Sequence, residues 1–166
     1  MKKILFPTDF SETANNAFLY ALNLAENQNA ELCVLHAFQY PMISGGIDAA
    51  VLQNVYDTIE LSNFENLKDH IPFLRTMAEE NGFSNVDIKF FIKEGMLSFV
   101  LPTFIEEEGI DFVVMGSTGN TGFDKVIFGS NTMNAIRSLK IPVLSIPNGF
   151  KYKKIQNIGF TTIWNT

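Results

Sequence analysis

Short, nearly unbroken apolar runs alternate along this chain with stretches whose apolar residues return every three or four positions. Ile4-Leu5-Phe6, closed by Pro7, reads as a buried strand. Ala14, Ala17, Phe18, Ala21, Leu22 and Ala25 then mark one face of a helix that Ser11 can cap and that closes at Asn27-Gln28-Asn29. Leu32-Cys33-Val34-Leu35 is a second buried strand, and Pro41 with Gly45-Gly46 marks a loop. Val51, Val55, Ile59, Leu67, Ile71, Leu74 and Met77 keep helical period to about Ala78; Pro72 falls inside, so the stretch is one kinked helix or two shorter ones. Asn81-Gly82 supplies its C-terminal stop.

A third strand is expected over Val86 to Ile92 and a fourth over Ile110 to Met115. Between them a helix follows Gly95, with Ser98 as its expected cap and Pro102 either delaying or bending it. A helix from about Ser130 to Leu139 and a fifth strand bracketed by Pro142 and Pro147 complete the series. Apolar strands alternating with helices predict a parallel sheet covered on both faces, a three-layer α/β/α sandwich. That class takes ligands outside the carboxyl ends of its strands, where strand order reverses.

Composition narrows the picture. The 166 residues suit one domain and a little over. A net charge of −6 and a pI near 4.8 argue against nucleic acid and anionic membrane as partners. One cysteine, Cys33, and two histidines, His36 and His70, leave no cysteine- or histidine-based metal centre. The apolar run after Lys2-Lys3 is too short for a secretory signal, and no run approaches ~18 apolar residues. The expected setting is therefore the cytoplasm.

The candidate chemistry lies in Gly116-Ser117-Thr118-Gly119 through Gly129-Ser130. The first part directly follows the fourth strand and the second opens the next helix. Glycines let backbone N–H groups approach phosphate oxygens, and a helix start adds unpaired donors. Ser130 adds a hydroxyl and a possible cap. A bare glycine loop is more often only a turn and a cap, so the spacing matters. It matches neither the phosphate loop G-x-x-x-x-G-K-[ST], nor G-x-G-x-x-G after the first strand, nor a G-x-S-x-G elbow.

The spacing G-x₂-G-x₉-G-[ST], met by Gly116, Gly119, Gly129 and Ser130, resembles the ATP-binding branch of the universal stress protein family. Ile4 to Ser11 resembles that family's first strand and loop; Leu35-His36-Ala37, Met115-Gly116 and Ile141 to Leu144 resemble the ends of its second and fourth strands and its last strand. The resemblance spans roughly residues 2–147, with Ser44 to Gly82 the least diagnostic part. It implies an adenine-nucleotide α-hydrolase-like sheet of order 3-2-1-4-5. It also implies ATP, with a divalent ion such as Mg²⁺. Pro7, Thr8 and Asp9 would sit beside the adenosine, Ala37 would meet the adenine through its backbone, and Met115 and Gly116 would flank the ribose. Gly119, Gly129, Ser130 and Asn131 would hold the phosphates. Thr118 departs from the basic or long polar residue often found before the second glycine, and Lys125 is the only cation between Gly116 and Ser130. Many relatives are dimers through the last strand, here Val143 to Ile146, which as the last of five is expected at a sheet edge.

Other residues read more plainly. His36 is expected to be structural or to line the pocket, Cys33 to be core, and Glu106-Glu107-Glu108 to be a solvated helix end. The 16 phenylalanines, scattered over the elements, are expected to serve core packing. Ile158, Phe160, Thr162 and Trp164 repeat Ile4, Phe6, Thr8 and Phe10 at an offset of about one domain. Residues 1–148 are thus expected to form one domain, and residues 149–166 a linker and the first strand of an incomplete second unit.

No general base, nucleophile or catalytic pair is visible. The favoured reading is an ATP-binding regulatory or stress-response module with at most slow hydrolysis. A second reading keeps the loop without the nucleotide and works through dimerisation and partner contacts. A third, an adenylating enzyme, needs a glycine-rich pyrophosphate loop after the first strand, where this chain has Pro7-Thr8-Asp9-Phe10-Ser11.

Overall fold

In the computed structural model, residues 1–43, 45, 48–117, 129–147, 150, 153 and 157 are described. Strands and helices alternate as β1 (Lys3–Pro7), α1 (Glu12–Gln28), β2 (Glu31–Phe38), α2 (Ala49–Glu80), β3 (Ile88–Glu94), α3 (Leu97–Glu108), β4 (Phe112–Gly116), α4 (Ser130–Ser138) and β5 (Val143–Ile146). All pairings are parallel and the order is β3-β2-β1-β4-β5, the expected three-layer sandwich. Thr118, Gly119 and, but for Phe150, Lys153 and Asn157, the expected linker and strand at 149–166 lie outside the described residues.

Alternation along each strand divides the core in two. Ile4, Phe6, Leu32, Val34 and Val114 face α1 and α2, meeting Phe18, Leu22, Leu67 and Leu74. Leu5, Cys33, Leu35, Val113 and Met115 face α3 and α4, meeting Leu101, Phe104 and Ala135. β5 lies at one edge of the sheet, as expected, and β3 at the other.

α1 begins as expected, with Ser11 Oγ accepting the Ala14 N–H at 3.3 Å, and ends on the left-handed Asn29. α2 is a single helix of 32 residues that runs through Pro72. The carbonyl deprived of its donor belongs to the exposed Lys68, where water can serve it. Pro102 is likewise inside α3, and Ser98 does not cap that helix: Met96 is the N-cap and no side chain bonds there. α4 brings a similar correction, since Gly129, not Ser130, is its N-cap and Ser130 opens the first turn.

Two strands start later than expected. Val86 turns, its N–H bonding the Phe83 carbonyl at 3.2 Å, so β3 starts at Ile88 and follows β2 out to the Phe38–Glu94 pair. Ile110 closes α3 by bonding the Ile105 carbonyl at 3.0 Å, which delays β4 to Phe112. The amino-terminal end of the sheet is tied by charge. Glu31 pairs with Lys89 and, at 3.7 Å, with Lys3, while Lys3 meets Glu108 at 3.1 Å.

Candidate functional site

β1 and β4 are neighbours, but the helices that follow them cover opposite faces: α1 packs on one and α4 on the other. This divergence opens a crevice at the carboxyl ends of the two strands. The β1–α1 loop forms one wall and is shaped by its own short side chains. Thr8 Oγ1 accepts the Phe10 N–H at 2.9 Å and Asp9 Oδ1 accepts the Ser11 N–H at 3.0 Å. Between these turns Phe10 takes φ 60, an unusual conformation for a bulky residue. Its ring is held from two sides, 4.9 Å from the His36 ring and 4.3 Å from His70.

The opposite wall is the start of α4. No side chain caps it. Its first-turn N–H groups therefore lack intrahelical partners and sit beside the cleft that Gly129, Ser130 and Asn131 line. Thr132, buried, ties the helix start to the strand by donating its hydroxyl to the Gly116 carbonyl at 2.9 Å. Gly116 is needed for a second reason: a Cβ there would lie 3.0 Å from both Cγ2 and the backbone oxygen of Thr13 on α1. Close packing of α1 on β4 favours glycine at this point even before any ligand is considered.

The cleft has a volume of about 260 Å³. Pro7, Thr8 and Asp9 line it from β1 and its loop, Met115 and Gly116 from β4, Gly129, Ser130 and Asn131 from α4, and Ala37 from β2. All the candidate residues that fall within the described part of the chain thus come together. Sequence reasoning missed Thr13, Gln39, Met96, Leu97 and Thr132 as lining residues and took Ser11 only as a cap. Thr13 and Thr132 stand in the first turns after the two loops, a position that could have flagged them. Gln39, Met96 and Leu97 arrive through the fold and carry no local signal.

Asp9 is the only charged residue among those described in the lining. An anion there would rely on N–H and hydroxyl groups and on whatever cation accompanies it. The oxygen donors present, Asp9 with the Ser11, Thr13 and Ser130 hydroxyls, suit a hard ion such as Mg²⁺ that keeps most of its ligands as phosphate and water. No metal-binding group of histidine, cysteine and carboxylate side chains occurs among the described residues.

His36 does not line the cleft. It braces the loop from behind, with Nδ1 3.0 Å from the Thr8 carbonyl oxygen and Nε2 3.3 Å from Asn63 Oδ1 on α2. Cys33 is buried in the core as expected, and burial pushes its thiol up to about 12. Of the three consecutive glutamates, Glu107 meets Lys93 at 3.5 Å and Glu108 meets Lys3, ordinary ion pairs at a helix end.

The model of the universal stress protein family matches residues 1–147. The chain belongs to that family. Among solved structures, universal stress protein UspA from Lactobacillus plantarum is 23% identical, with 87% of this chain and 97% of that chain covered and a TM-score of 0.69. A universal stress protein in complex with cAMP is 22% identical, covering 87% and 95% with a TM-score of 0.55. One from Archaeoglobus fulgidus in complex with dAMP is 17% identical, covering 88% and 97% with a TM-score of 0.55. These likenesses are of fold. No curated protein matches the sequence. Among the described residues, no helix of this universal stress protein is long and apolar enough to cross a membrane.

Proposed function

We propose that this universal stress protein binds an adenine nucleotide, ATP with Mg²⁺, between the β1–α1 loop and the start of α4, and works as a cytoplasmic regulatory or stress-response module. The observation that carries the reading is the uncapped helix start behind Gly129, facing Asp9 across a cleft at the reversal of strand order. Relatives of the same fold have been solved with cAMP and with dAMP, which supports an adenine-containing ligand. In this reading Asp9 contacts the adenosine, the Ala37 backbone meets the adenine, and Met115 and Gly116 flank the ribose. Ser130, Asn131, Gly129 and Gly119, the last preceded by Thr118, take the phosphates.

Titration calorimetry with Mg-ATP and with AMP tests it. Binding is expected for the parent protein and a loss of at least about tenfold for Gly129→Val, whose branched side chain would stand where backbone must meet oxygen. Absence of heat with both nucleotides overturns the reading. β5 favours one addition, a homodimer through Val143–Ile146. It is an edge strand whose Val143, Leu144 and Ser145 are only half-buried, and exposed edges tend to be paired. Light scattering that finds only monomer at micromolar concentration overturns that part, whereas a dimer without nucleotide binding favours a purely partner-based role.

A further inference from the structure

Past Leu35, successive residues of β2 and its extension serve two different places. Ala37 and Gln39 reach the cleft described above, while Phe38 and Tyr40 reach a second groove of about 520 Å³. This groove lies between the ends of β2 and β3 and the first half of α2. Its α2 wall is Asp57, Glu60, Leu61 and Phe64, three- and four-residue spacing that makes one helical face. Ile92 and Glu94 come from β3.

Two properties of the groove point to its ligand. The first is aromatic surface left uncovered. Phe64 is 54% exposed, and the Tyr40 ring is held 5.5 Å from Phe38 and 4.7 Å from Tyr56. The second is charge of one sign. Asp57, Glu60 and Glu94 line the groove, and no lysine or arginine does among the described residues. Lys93, beside Glu94, serves the other face of the sheet, where it meets Glu107 and the Phe104 ring. Glu60 is fixed by the Tyr40 hydroxyl, which donates to its Oε2 at 3.3 Å. Burial, and then the Glu60, Glu94 and Asp57 carboxylates, hold that hydroxyl above its ordinary pKa, as negative surroundings would.

Ring faces and carboxylates both attract a cation, and exposed rings favour one with an apolar surface. An anion would be repelled. A bare metal ion needs converging donors, and the described carboxylates form no such group. A second copy of this chain would bring net charge −6 against the same carboxylates. We propose that this groove binds a small organic cation of the alkylammonium class, its charge near Glu60 and Glu94 and its carbon groups on Tyr40 and Phe64.

The test uses choline and its neutral carbon isostere, in which a tert-butyl group replaces trimethylammonium. Both are titrated into the full chain and followed by NMR of the tyrosine and phenylalanine rings. Choline should saturate with shifts at Tyr40 and Phe64, and the isostere should bind at least about tenfold more weakly. Glu60→Gln and Phe64→Ala, both at exposed helix positions, should each lose about tenfold in choline affinity, with melting temperature unchanged. Equal binding of the two compounds, no saturation at millimolar choline, or variants that bind choline like the parent would overturn the proposal. So would an oligomer that Phe64→Ala dissolves, because a second copy would then be the occupant.

Discussion

The two clefts at the carboxyl end of the sheet share a strand but differ in origin and chemistry. The first lies where β1 and β4 part company, so the fold itself opens it, and its walls are turns, small residues and a helix start. The second lies between β2 and β3, whose order does not reverse. α2 creates it: 32 residues of helix span about 48 Å, roughly twice the length of the seven-residue β3. Leu67, Leu74 and Ala78, all in its second half, are the buried part, and the first half overhangs the strand ends. One cleft therefore offers backbone donors and suits an anion, while the other offers rings and carboxylates and suits a cation. Position came from topology in the first case and from helix length in the second; charge preference came from backbone at a helix start in the first and from side chains in the second.

Substitutions at the first cleft should separate it from the second. The largest effect is expected for Gly116→Val. Its Cβ would press on the Thr13 backbone, and relief requires α1 to move off β4, at a cost of about 2 kcal/mol. Thermal denaturation should show the loss and calorimetry a matching fall in nucleotide affinity, while choline binding stays within about twofold of the parent in a still-folded protein. Parallel loss of both ligands would show that the clefts are not independent.

Thr132→Val should act more gently. It keeps the side-chain volume but removes the hydroxyl donated to the Gly116 carbonyl, worth about 1 kcal/mol. Melting temperature should fall by a few degrees, and nucleotide affinity should weaken because α4 loses its tether to β4. Unchanged affinity would mean that the helix start is positioned by packing alone.

Acid provides the mildest effect, read through the carboxylates at the far end of the sheet from both clefts. The hydrogen bond from Lys89 is the main cause holding the Glu31 carboxyl below its ordinary 4.5, and the Lys2 and Lys3 backbone N–H groups hold Asp111 below 3.8. A carboxylate lowered on folding stabilises the protein above its unfolded value, and that contribution disappears as pH falls through the folded value. Melting temperature should thus lose this contribution only below about pH 5, and Glu31→Gln should flatten the decline. A parent-like acid profile in Glu31→Gln would remove this network from the explanation.

Much of the first cleft was legible because its parts are local. Ser11 caps α1 and Gly129 precedes α4 within short stretches, and the glycine spacing identified the family. Gly116 was legible as a motif residue but not for its contact with Thr13, which arises only when α1 folds over β4. The helices were less legible where prolines intervened. Pro72 left one kinked helix or two shorter ones open and Pro102 a late start or a bend; packing of Leu67, Leu74, Leu101 and Phe104 against the sheet carries both helices through. The groove lined by Tyr40, Glu60 and Glu94 left no trace in the sequence, because its residues meet only across three elements.

By itself, then, the sequence determined what short-range periodicity and spacing can encode: five apolar strands, the helices between them, the glycine motif and the acidic balance. Only the tertiary structure decided how far α2 overhangs the sheet, where β3 and β4 begin, which residue needs to be glycine for packing, and which side chains share a cleft. Those outcomes depend on contacts between elements distant along the chain, whose energies local pattern does not contain.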